Sequence, residues 1–150
     1  MSDKALNLVL DLRKREEDEA LELLIEAQNN VASFERQIAQ LKEFENIYTE
    51  EMKSKSQFQM GMGTYLGYQQ FINKLERIKE RQEAGLVKLQ EQENRARSNY
   101  LDKQKQRKII ESLIEKHRIE RERLEARAEQ KLSDDIVSSK QARIFIQKMK

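Results

Sequence analysis

The sequence predicts an all-α protein, a long antiparallel two-helix coiled-coil hairpin in which helix two overhangs helix one. Three observations predict it. A heptad seam runs without a phase slip from Leu6 to Met52, three of the four glycines cluster once along the chain, and a second heptad seam follows that cluster. A period of 3.5 residues held this long specifies a left-handed coiled coil, and a helix with one narrow apolar stripe needs a partner helix to cover it.

The first seam reads Leu6, Leu10, Arg13, Glu17, Ala20, Leu24, Ala27, Val31, Phe34, Ile38, Leu41, Glu45, Tyr48 and Met52. Eleven of these fourteen positions are apolar in a chain that is only 37% hydrophobic, so the apolar residues are concentrated on one line. Helix one is expected over about 4–53. Gly61, Gly63 and Gly67 mark the break, because glycine costs about 1 kcal/mol in a helix interior. Ser54-Lys55-Ser56 adds loop character, so the tip loop is placed at 54–64, with Thr64 as the cap of helix two.

Helix two is expected from about 65 to at least 131. Its seam reads Tyr68, Ile72, Leu75, Lys79, Gln82, Leu86, Leu89, Glu93, Ala96, Tyr100, Lys103, Arg107, Ile110 and Ile114. Folding the chain at the loop pairs Met52 with Tyr68, Tyr48 with Ile72, Phe34 with Leu86, Ala20 with Tyr100 and Leu6 with Ile114. Glu17 then meets Lys103, a match the register needs because unpaired buried charge costs several kcal/mol. Glu45 opposite Leu75 is the mismatch of this register. Helix one runs out opposite about Arg118, and the Arg- and Glu-dense stretch beyond is expected to be a single helix with Leu124 and Ala128 as a thin stripe. Ser133-Asp134-Asp135 reads as a cap or interruption within a tail over 132–150, whose apolar residues Ile136, Val137, Ile144, Phe145, Ile146 and Met149 follow it. The whole is one coiled-coil domain.

Composition narrows the function. Without proline nothing forbids very long helices, and the absence of cysteine excludes a disulfide scaffold. No stretch approaches the roughly 18 uncharged apolar residues of a membrane span, and residues 1–6 lack the apolar core of a secretion signal, so a soluble cytosolic protein is expected. Residues 1–52 hold six Lys/Arg and thirteen Asp/Glu, a net −7, while residues 53–150 hold twenty-three and fourteen, a net +9. Two segments of opposite sign suit each other as neighbours.

No catalytic site is legible. One histidine, His117, and no cysteine supply neither a nucleophile triad nor a standard zinc cluster, and no glycine-rich loop precedes Lys-Ser or Lys-Thr. An enzyme, a metal site and a cofactor are not expected. The basic run Lys103-Gln104-Lys105-Gln106-Arg107-Lys108 reads as a solvated face or a counterpart of acidic helix one, and no nucleic-acid partner is expected. The unusual feature is excess apolar surface at the tip. Phe44 and Ile47 widen the stripe of helix one, Phe71 and Ile78 that of helix two, and Phe58, Met60, Met62, Tyr65 and Leu66 crowd the loop. A two-helix coil shelters only a narrow stripe, so this surface reads as a protein-binding patch.

Gly67-Tyr68-Gln69-Gln70-Phe71-Ile72-Asn73-Lys74-Leu75-Glu76 resembles the start of the second helix in the flagellar export protein FliJ family. Leu6 to Arg13 is similar to that family's leucine-rich opening. Leu41-Lys42-Glu43-Phe44-Glu45-Asn46-Ile47-Tyr48 is similar to the end of its first helix, and Ser133-Asp134-Asp135 to its acidic ending. The resemblance implies a non-enzymatic antiparallel coiled coil, similar to the central stalk of rotary ATPases and at work in flagellar type III export. Its implied partners are the hexameric export ATPase, the export gate protein FlhA and export chaperones. It implies a location in the cytoplasm, peripheral to the inner membrane through the gate. Family tip positions carry over onto Gln37, Leu41, Phe44, Tyr48, Phe71, Leu75 and Ile78. The ATPase contact is expected on the overhang, at Arg118, Arg121, Arg123, Leu124 and Arg127. Phe44 stands where some members have Tyr, and Gln82 where some have His. A monomer is expected. The other reading the residues leave open is a structural or self-associating coiled-coil scaffold.

Overall fold

The computed structural model describes residues 2–55 and 61–149. Two helices account for nearly all of them, α1 over Asp3–Ser54 and α2 over Met62–Met149. Ser2 starts α1: its hydroxyl accepts from the Ala5 N–H at 3.1 Å and its carbonyl from the Leu6 N–H at 3.0 Å, which satisfies two of the free donors at a helix start. At the other end the Glu51 carbonyl accepts from the Ser54 hydroxyl and the Lys55 N–H.

The start of α2 differs from the expectation. It begins at Met62, and Gly61 rather than Thr64 stands before it, its carbonyl accepting from the Tyr65 N–H at 3.1 Å. Gly61 has φ +81°, a left-handed conformation open to glycine at little cost. Thr64 therefore lies inside the first turn. Phe58 and Met60 of the expected loop lie outside the described residues.

The chain divides into two compact units, residues 16–103 and residues 1–15 with 104–150. In the first unit the two helices pack antiparallel. Ala20, Leu24, Val31, Ile38 and Leu75 are buried, and every other seam position of that unit is at least half-buried. Full burial of a side chain of this kind contributes roughly 1.5–3 kcal/mol, so this stripe holds the unit together. The pairing falls within one residue of the expected layers: Tyr48 meets Phe71, Phe34 lies against Gly85, and Lys103 pairs with Glu16 at 3.8 Å.

The expected mismatch at Glu45 is resolved one turn along α2. Lys79 Nζ donates to Glu45 Oε2 and to Glu76 Oε2, both at 3.1 Å, so the seam lysine bridges two carboxylates. Those contacts, to Glu76 first and to Glu45 second, hold the Lys79 ammonium above its usual pKa.

In the second unit Leu6 is buried and Leu10, Arg13, Arg107, Ile110 and Ile114 are half-buried. Asp3, at the start of α1, pairs with Arg121. Every described residue from Glu115 onward is exposed. The helix does not stop at Ser133-Asp134-Asp135 as expected but continues to Met149. Gln130 Nε2 donates to Asp134 Oδ1 at 3.1 Å, an i,i+4 bond on the helix surface, and no proline or glycine follows Gly85 to break the ladder.

Candidate functional site

The end of the first unit next to the α1–α2 connection carries an open, mainly apolar cleft lined by Tyr48, Thr64, Gly67, Tyr68 and Phe71. Three aromatic rings define it. Tyr48 meets Phe71 edge-to-face, with ring centroids 4.8 Å apart and planes at 75°, and lies 6.0 Å from the Tyr68 ring. Aromatic pairs favour this offset because the positive ring edge faces the negative ring face. Tyr68 Oη donates to Glu51 Oε2 at 3.0 Å, and that bond to a carboxylate raises the phenol pKa. The bond points the hydroxyl toward Glu51 and holds the ring in place.

The seven expected tip residues have different environments. Tyr48 and Phe71 come together in the cleft, Phe71 being 42% exposed. Phe44 at 52% and nearby Ile47 at 45% extend the apolar surface along α1, and Gln37 is exposed. Leu41 and Ile78 are half-buried. Leu75 is 7% exposed and belongs to the core, so it supports the patch from beneath.

Sequence reasoning missed Thr64, Gly67 and Tyr68 as cleft residues. Tyr68 has a seam position, which hid its exposed edge, and Gly67 read only as a helix breaker. Gly67 lies within α2, and a Cβ built on it would meet nothing within 4 Å. Its missing side chain keeps that part of the cleft open.

The five expected overhang residues are all exposed. Arg118 is held by the carboxylates of Glu115 and Glu122, at 2.6 Å each, and Glu115 is correspondingly held below its usual pKa by Arg118. Arg121 pairs with Asp3, which moves the start of the unpartnered helix from about Arg118 to just beyond Arg121. Arg123 lies 4.0 Å from Glu120, and Leu124 is 54% exposed.

A family model described as "Flagellar FliJ protein" matches residues 2–144. The chain belongs to the FliJ family. Neither the curated proteins nor the solved structures contain a match to it. Membership assigns this FliJ-family chain a role in flagellar biogenesis and protein export, within a family of structural and adaptor proteins. No helix among the described residues is long and apolar enough to cross a membrane. Among those residues no group of three His, Cys, Asp or Glu side chains is placed to hold a metal ion. His117 is exposed, on the seam line just past the last half-buried layer.

Proposed function

We propose that the chain is a non-enzymatic stalk and adaptor of the flagellar type III export apparatus, coupling the export ATPase ring to the gate protein FlhA and handling export chaperones. The observation that carries this reading is the aromatic cleft, where Phe71, off the seam, keeps exposed apolar surface against the ring of the seam residue Tyr48. In this reading Phe44, Tyr48 and Phe71 touch the gate, Gln37, Leu41 and Ile78 border the contact, and Leu75 holds their backbone. The exposed helix bearing Arg118, Arg121, Arg123, Leu124 and Arg127 engages the ATPase. A charged helix suits a ring axis, where contacts must tolerate several subunit orientations. The protein works as a monomer peripheral to the membrane through the gate.

The test separates binding from folding. Phe71→Ala removes a side chain that is 42% exposed, and the melting temperature should change little while capture of the FlhA cytoplasmic region falls. Leu75→Ala opens the core and should cost roughly 2–5 kcal/mol of stability. Full capture by folded Phe71→Ala protein would remove the cleft from the gate contact.

A further inference from the structure

We infer that the stretch of α2 over residues 136–149 lies directly on an anionic lipid surface. The charge pattern of the helix changes abruptly there. Residues 118–135 hold five Lys/Arg and six Asp/Glu, whereas residues 136–150 hold Lys140, Arg143, Lys148 and Lys150 and no carboxylate side chain. The same stretch is rich in exposed apolar side chains, with Ile144, Phe145, Ile146 and Met149 exposed by 52%, 64%, 55% and 72%.

Helical spacing arranges these groups. Ala142, Phe145, Ile146 and Met149 stand at i, i+3, i+4 and i+7 and share one face of α2. Arg143 and Lys148 fall on the two edges of that face, where a long stem can lie along apolar surface while its charge reaches outward. An apolar face edged by cations suits a helix lying in the plane of a membrane interface. It lies on the membrane rather than across it, since no helix among the described residues has the length of apolar sequence a span requires.

Other occupants fit less well. A second copy of the segment would bring cations against cations with no carboxylate between them. A nucleic acid would match the charge but offers no apolar layer for Phe145, Ile146 and Met149. An anionic bilayer supplies both, with each Lys or Arg near its surface worth about a fivefold gain in partition. This contact is separate from the proposed gate and ATPase contacts, and it would hold the protein at a membrane in their absence.

The full chain should co-sediment with vesicles of phosphatidylcholine mixed with phosphatidylglycerol, and much less with phosphatidylcholine alone. Arg143→Glu combined with Lys148→Glu should lower that partition by roughly 25-fold or more. Raised salt should weaken it. Phe145→Ser should weaken it at unchanged charge. The chain contains no tryptophan, so Phe145→Trp introduces a single indole that can be excited selectively beside the four tyrosines, and its emission should shift to the blue on phosphatidylglycerol vesicles. Because these side chains are exposed, the melting curves of the variants should match the wild type. Absence of wild-type binding would overturn the inference. So would binding that survives both the charge reversal and Phe145→Ser, equal binding to neutral vesicles, or a fluorophore that stays in water while the protein is bound.

Discussion

Replacing Gly85 by alanine sets two effects of known sign against each other. Gly85 lies inside α2, where alanine is favoured over glycine by about 1 kcal/mol. A Cβ at this position would stand 2.9 Å from Cε2 of Phe34, 3.6 Å from Cδ2 and 3.9 Å from Cζ. Carbon atoms pack best at about 3.5–4.0 Å, so one ring atom must withdraw by about 0.6 Å or more. Overpacking of this kind costs roughly 1–3 kcal/mol. Phe34 is half-buried, which leaves its ring partial freedom and places the cost in the lower part of that range. The net expectation for Gly85→Ala is therefore a stability change between about 0 and −1 kcal/mol. Gly67→Ala is the control, for nothing lies within 4 Å of its added Cβ and the helical gain of about 1 kcal/mol should appear in full. At this chain length 1 kcal/mol moves a melting temperature by about 2–4 °C, so thermal unfolding followed by circular dichroism resolves the two variants. Phe34→Leu removes the ring, and in that background Gly85→Ala should recover the gain seen at Gly67. If Gly85→Ala stabilises the wild type as much as Gly67→Ala does, the Phe34 ring does not lie on Gly85 and the pairing of the two helices is misread.

Gln82 Oε1 is buried on the seam with no hydrogen-bond partner among the described residues, so Gln82→Leu should stabilise the first unit by about 1–3 kcal/mol in urea unfolding; destabilisation would mean that the amide has a partner in solution. Lys79 and Tyr68 both have raised pKa values, by hydrogen bonds to Glu76 and Glu45 and to Glu51 respectively. Their favoured forms, ammonium and neutral phenol, are complete below about pH 10, so melting temperature should be level from neutral to about pH 9 and fall above pH 10. Tyr68→Phe should remove part of that alkaline fall. Deleting residues from Glu122 onward keeps the Asp3–Arg121 pair, so the melting temperature should hold while stimulation of the export ATPase drops. Full stimulation by the truncated chain would show that the free helix is not the ring-engaging element.

The heptad seams were legible residue by residue, and all twenty-eight expected seam positions are buried or half-buried. That follows from the physics of a single stripe: a helix with apolar residues every 3.5 positions has one way to hide them. The FliJ family was legible too, from the Tyr68-Gln69-Gln70-Phe71 segment. The helix boundaries were less so. Ser133-Asp134-Asp135 has the composition of a cap, yet the ladder already running from Met62 meets no proline or glycine there to stop it, and propagation is easier than termination.

The candidate site was only half-visible because it depends on direction as well as position. A heptad letter says that Leu75 and Phe71 lie near the seam, but only the packed pair of helices shows that Leu75 is enclosed while Phe71 keeps an open edge against Tyr48. The same holds for Glu45, whose partner stands one turn along α2 rather than opposite, because a flexible lysine side chain spans that distance. Gly85 is explained solely by the Phe34 ring that packs on it from the other helix. Periodicity along one chain determined which side of each helix is covered. Which side chain meets which, and which surface is left over, was decided by the fit of one helix against the other.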